Sequence, residues 1–196
     1  MIIDYISDFC VRHGIIRKED LPMFRYCVEK RFYSIVVFLP LVVLGIMWTN
    51  VATTVAFLGA FSYLRSTTNG FHAKKSGACF IYSILIEFIL FRYVIPFLTP
   101  KIVIISLIIS LLIIMMLAPY NHPNMALTSD EILACRTVSR KRTVHLLIIF
   151  LVSTLLSWDD VSVGLFLGIA LVSVLLCLAY ISNWEELKCL AKKRRT

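Results

Sequence analysis

Long uncharged runs alternate with short polar and basic segments along this chain. The runs are Phe32–Leu64, Ala78–Leu98, Ile102–Leu117, Val144–Trp158 and Val161–Ser182, interrupted only by Glu87 and Arg92 in the second. A hydrocarbon core of ~30 Å takes about 20 helical residues, so Ala78–Leu98 and Val161–Ser182 read as full spans. Ile102–Leu117 and Val144–Trp158 are short and need flanking residues or a locally thin bilayer. Phe32–Leu64 is too long for one helix and short for two. Trp48-Thr49-Asn50 divides it, because Trp favours the membrane boundary and Asn favours turns. The pattern predicts two short helices, about 32–48 and 51–66. A single crossing plus a half-buried segment is the alternative.

The expected fold is therefore all-α: a polytopic membrane protein of about six transmembrane helices, two or three of them short. Near the N-terminus, Ile2, Ile3, Ile6, Phe9, Cys10 and His13 share one helical face, with Asp4, Asp8 and Arg12 elsewhere. That predicts an amphipathic helix, either lying in the interface or packed on the membrane domain. The segment has no continuous apolar core of signal-peptide length. The chain divides into an amphipathic segment 1–31, a transmembrane domain 32–182 and a basic tail 183–196, with no internal repeat.

Composition narrows the class. Of 196 residues, 59% are hydrophobic and 16% charged, against about 45–50% and about 25% in soluble domains. Too little polar surface is left for a cytosolic enzyme, a disordered tail or a disulfide-stapled secreted module. The formal charge of +8 comes from 20 basic and 12 acidic residues. With six crossings, all the basic residues except Arg92 and Lys101 fall on the N-terminal side; five crossings would divide them. The positive-inside rule thus favours six spans with both termini cytoplasmic. Far-side loops are then tiny: Thr49-Asn50, Thr99–Lys101 and Asp159-Asp160. The basic residues act as a topology signal, so the partner they imply is the lipid bilayer, not nucleic acid.

Six cysteines (Cys10, Cys27, Cys79, Cys135, Cys177 and Cys189) form no C-x-x-C pair. Five lie at or near the cytoplasmic side, where thiols stay reduced. His13, His72, His122 and His145 match no zinc spacing. Neither a disulfide framework, a metal site nor a cofactor is expected.

One polar segment carries chemistry. Between the second and third spans the chain reads Arg65-Ser-Thr-Thr-Asn-Gly70-Phe-His72-Ala-Lys74-Lys75-Ser76-Gly77-Ala-Cys79. A cysteine nucleophile needs a lowered pKa and a nearby base, and histidine is the usual partner. In an unbroken helix His72 and Cys79 would share a face but stand about 10.5 Å apart along the axis. Proton transfer needs about 2.6–3.2 Å, so the backbone must bend between them. Ser76-Gly77 offers the break. With Ser76 as N-cap, Cys79 falls at N3 of the next helix, where the helix dipole and Lys74 and Lys75 favour a thiolate. The competing reading is a small packing cysteine beside two interfacial lysines.

At these residues the sequence resembles the accessory gene regulator B (AgrB) family of bacterial membrane peptidases. The family signature is matched in register by Arg65, Gly70, His72, Cys79 and Ser83, and Ala118-Pro-Tyr-Asn-His-Pro-Asn124 is similar to the family's Ala-Pro…Pro-Asn loop. Many members have two glycines where this chain has Asn69-Gly70. The resemblance implies a thiol protease of the bacterial cell membrane for quorum sensing, with its active site on the cytoplasmic side and residues 32–182 as its catalytic domain. Cys79, deprotonated by His72, would cleave the C-terminal tail from an AgrD-like propeptide. The peptide's own thiol would then displace the Cys79 thioester and close a thiolactone, giving the autoinducing peptide.

Other matched residues leave two readings each. Arg65 binds a substrate carboxylate or orients the loop, or it is an interfacial anchor. Gly70 is conformational. Ser83 bonds at the site or back to its own helix. Glu87 continues the Cys79 face and either pairs with Arg92 or lines a polar cavity for substrate. His122 is a loop residue and the reserve candidate for a third polar group. A non-catalytic exporter of the pheromone is the alternative function, resting on the intramembrane Glu87 and Arg92. A receptor is disfavoured by the tiny far-side loops. Short spans bury little alone, which makes a homodimer the expected assembly.

Overall fold

The computed structural model describes residues 9–13, 16–17, 19, 21–68, 76–121 and 128–193, and among these every regular element is helical. Two units divide the chain, residues 1–44 and 45–196. The first holds a short helical stretch at 9–12 and most of α1, Leu21–Trp48. In that stretch His13 Nδ1 lies 2.9 Å from the Phe9 carbonyl and the two rings meet at 4.0 Å. The rest of the expected amphipathic face, residues 1–8, lies outside the described residues.

The predicted break at Trp48-Thr49-Asn50 is where α1 ends and α2, Val51–Thr68, begins. Asn50 makes the turn by capping: its Oδ1 accepts the Thr53 N–H at 2.8 Å, satisfying one of the orphan donors of a helix start. Thr49 N–H bonds back to the Gly45 carbonyl at 2.9 Å, which closes α1.

The next span is less regular than its hydropathy. α3, Ser76–Ile89, passes into a π segment at Leu90–Val94 and then a 3₁₀ turn at Ile95–Phe97. Pro96 accounts for the change, since it lacks an N–H and its ring crowds the carbonyl four residues back. Thr99 then caps α4, Pro100–Leu117, with Pro100 at the first helical position, where a missing N–H costs nothing.

α5, Ser129–Leu155, starts at a capping box in which the Thr128 and Glu131 side chains each bond the other's backbone N–H. The last two helices are longer than the apolar runs that predict them. The basic residues Arg136–Arg142 belong to α5 itself, and α6 runs Asp159–Lys193 through most of the expected tail. Asp159 and Asp160, expected as a loop, form the first turn of α6, where their charge suits the helix dipole. Ser157, at φ 56°, makes the reversal between α5 and α6.

Among the described residues, three helical stretches are long and apolar enough to cross a membrane: Phe80–Phe97, Pro100–Leu117 and Asp159–Ser182. Phe38–Trp48 is a shorter apolar helix. The protein is thus an all-helical polytopic membrane protein. α6 is the centre of the second unit, burying Leu165, Phe166, Leu167, Ile169, Val172 and Leu176. Its main neighbour is α2, and glycines set their approach. A Cβ on Gly168 would stand 2.8 Å from both the Phe57 carbonyl and the Ala60 Cβ, and one on Gly164 would collide with the Thr53 carbonyl. This is the small-x-x-x-small contact that lets membrane helices meet backbone to backbone.

Candidate active site

Cys79 is the fourth residue of α3, so its backbone lies in the first helical turn, the position where a free N–H array and the helix dipole favour an anion. The helix is described from Ser76 onward. Gly70, His72, Lys74, Lys75 and His122 lie outside the described residues.

The helix ends that flank this segment are built by neighbours. Arg65 lies half-buried in the last turn of α2. The final residue of α2, Thr68, is fully buried, and its carbonyl accepts the Tyr120 N–H at 2.9 Å. The Ala118-Pro119-Tyr120 sequence is therefore fastened to the end of α2, one residue before Asn69-Gly70. Tyr120 is buried and meets the Tyr180 ring edge-on at 5.1 Å, while Tyr180 donates its hydroxyl proton to the Leu117 carbonyl at 3.0 Å. The ends of α2 and α4 are thus held together, with Tyr180 of α6 bonded to the second. Sequence reasoning identified the Ala-Pro loop by resemblance but had no signal for Tyr180, whose partners come from elements distant in the chain.

A second set of contacts fixes the same end of α2 against α5. Arg142 Nη1 donates to the Tyr63 carbonyl at 2.7 Å and to Ser66 Oγ, and its guanidinium lies 4.6 Å from the centre of the Tyr63 ring. Tyr63 Oη in turn lies 3.2 Å from His145 Nδ1.

On α3, Ser83 is half-buried and Glu87 is 1% exposed. Glu87 follows Cys79 by eight residues, about 12 Å along a helix, which removes it from direct contact with the reacting atoms. It lies instead where the end of α1 meets the start of α2: a Cβ on Gly45 would stand 2.6 Å from Glu87 Oε1 and 3.0 Å from Thr54 Oγ1. Neither Glu87 oxygen has a hydrogen-bond partner among the described residues. The alternative in which Glu87 pairs with Arg92 is not met, because Arg92 sits exposed in the π segment. Five residues turn an α-helix by about 140°, so one side chain points inward and the other outward.

Thiols and potential ligands are dispersed. Cys10, Cys135 and Cys177 are free, and the described residues hold no cluster of three or more His, Cys, Asp or Glu side chains suited to a metal ion.

The chain matches the family model for accessory gene regulator B over residues 2–182. No curated protein and no solved structure matched it. The matched range takes in all the signature residues, the Ala-Pro loop and every span. The chain is accordingly a member of the accessory gene regulator B family, a membrane protein of that quorum-sensing system.

Proposed function

We propose that this protein is a membrane-embedded cysteine endopeptidase that trims and cyclises an AgrD-like pheromone propeptide. The observation that carries the reading is the family match across nearly the whole chain, with the signature Arg65, Gly70, His72, Cys79 and Ser83 in register. The start of α3 supports it, since Cys79 occupies the first helical turn, where thiolate is favoured.

His72 takes the Cys79 proton, and the thiolate sulfur adds to a backbone carbonyl of the propeptide. The peptide C–N bond then breaks, His72 returns the proton to the leaving amine, and the C-terminal tail departs. The acyl group remains on Cys79 as a thioester. A thiol within the peptide, deprotonated in its turn, displaces Cys79 and closes the thiolactone. One thioester replaces another, so product removal drives the sequence as much as bond cleavage does. Lys74 and Lys75 attract the precursor's tail, and Arg65 pairs with a substrate carboxylate. Both termini and the site face the cytoplasm, six crossings complete the topology, and two copies assemble.

The test is co-expression with the propeptide, following the precursor by mass. Cys79→Ala and His72→Ala abolish cleavage at normal membrane levels; unchanged cleavage in Cys79→Ala refutes the peptidase. A pheromone exporter is the second reading, favoured by the buried Glu87, which has no hydrogen-bond partner among the described residues. Sealed vesicles separate the two, because Glu87→Gln stops release of cyclic product only if export runs through that carboxyl.

A further inference from the structure

A groove of 630 Å³ opens on the surface between α2 and α5, lined by Val55, Gly59, Tyr63, His145, Ile149 and Leu165 among others. Gly59 keeps it open, since a Cβ there would meet nothing within 4 Å. The two helices run antiparallel, so the groove has two chemically different ends. One is wholly apolar, between Val55 and Ile149. The other ends at the Tyr63–His145 pair, with the Arg142 guanidinium over the tyrosine ring.

That second end is a cationic rim. Arg142 engages Nη1 with Tyr63 and Ser66, while a guanidinium has further N–H donors on Nη2 and Nε. Lys141 is exposed one turn before His145 on the same helix. An apolar slot ending in a cluster of cationic and hydroxyl donors fits an amphiphile with a hydrocarbon tail and an anionic head. A second copy of the chain fits less well. A two-fold contact through this face would bring two identical cationic rims together, and like charges side by side oppose association.

We propose that this groove binds an anionic phospholipid, one acyl chain along Val55, Gly59 and Ile149 and the phosphate at Arg142, Lys141 and the Tyr63–His145 pair. The site is separate from the Cys79 region and its occupancy does not depend on the peptidase reading. Bound lipid would tie α2 to α5 through the same residues that hold the end of α2, next to the segment that carries His72.

The full chain, reconstituted in nanodiscs of phosphatidylcholine doped with phosphatidylglycerol, provides the test. Native mass spectrometry counts the lipids that remain on the released protein. Phosphatidylglycerol is retained well above its bilayer fraction, Gly59→Leu removes that excess by filling the slot, and Lys141→Gln lowers it about five-fold, the effect of one basic residue near an anionic headgroup. Both positions are exposed, and circular dichroism of each variant checks that the helices are intact. Equal retention of the two lipids, or full phosphatidylglycerol retention in Gly59→Leu, overturns the proposal. A dimer that Gly59→Leu dissociates without any lipid preference also overturns it, and assigns the face to a second copy.

Discussion

α4 and α6 are equally apolar and have opposite fates. Their spanning windows have mean hydropathies of 2.6 and 2.7, yet 17% of the first is buried against 56% of the second. α4 is made almost wholly of large side chains, and Ile104, Ile105, Ile108, Ile109 and Leu112 are exposed along it. α6 carries Gly164 and Gly168 on the face toward α2, and Ser162 and Ser173 as buried polar contacts. Ser162 Oγ meets Ser153 Oγ at 2.8 Å, and Ser173 donates to Ser110 Oγ at 3.1 Å. In lipid no hydrophobic force separates inside from outside, because acyl chains are as apolar as leucine. Small residues and hydroxyls therefore choose the central helix, and hydropathy only chooses which helices enter the bilayer.

The strongest way to break this contrast is Gly168→Leu. The new side chain meets the α2 backbone, which cannot move aside, and the expected loss is about 3 kcal/mol, seen as failure to recover folded protein in detergent. Ile108→Leu, a volume-conserving swap at an exposed position of α4, leaves recovery unaltered. Next comes a matched truncation. Leu176→Ala, at a side chain with no exposed surface, lowers stability by about 2–3 kcal/mol through the cavity it leaves. Ile108→Ala, 52% exposed, changes it by less than about 0.5 kcal/mol. Equal losses in thermal unfolding would show that α4 is also covered, as a homodimer through that face requires.

Smaller still, Ser173→Ala removes the bond to Ser110 and costs about 0.6 kcal/mol, the usual worth of an interhelical hydrogen bond in a bilayer. The least effect belongs to the start of α5, outside the apolar span. There the Thr128 backbone and hydroxyl hold the Glu131 carboxyl below its ordinary value of 4.5. A carboxylate with a depressed folded-state pKa adds stability that is present above the unfolded value and is lost as pH falls through the folded one. Acidification through that window should fray the first turn of α5 in hydrogen exchange, and Glu131→Gln, which has no carboxyl to titrate, should remove the pH dependence. The core of α6 should show no such dependence.

How far the sequence could be read follows from the range of each interaction. The turn at Thr49-Asn50 was legible because an Asx cap and a boundary tryptophan act within a few residues. The helix that carries Cys79 was legible too, because Ala78–Leu98 is a long apolar run. The irregular end of the third span was not, although Pro96 is its local cause, because uninterrupted hydropathy hides a change from α to π. The fates of Glu87 and Arg92 also escaped. Both are ionisable groups in one span, and only their angular separation and the place of Gly45 show that one is buried near Thr54 while the other is exposed. Gly164-x-x-x-Gly168 went unread, because the hydropathy of its span gives small residues no weight and the helix it meets is set by the fold.

The sequence by itself determined a helical membrane protein, because an apolar chain in lipid must satisfy its backbone hydrogen bonds within each helix. It also pointed to the family, through the spaced residues Arg65, Gly70, His72, Cys79 and Ser83, and the family model matches residues 2–182. Only the tertiary structure decided that α6 is central and α4 peripheral, that Tyr120 fastens a distant loop to the end of α2, and that a groove between α2 and α5 ends in Arg142 and His145. Those are contacts between helices, and they depend on shape, on the absence of a Cβ here and a hydroxyl there, which a count of apolar residues does not register.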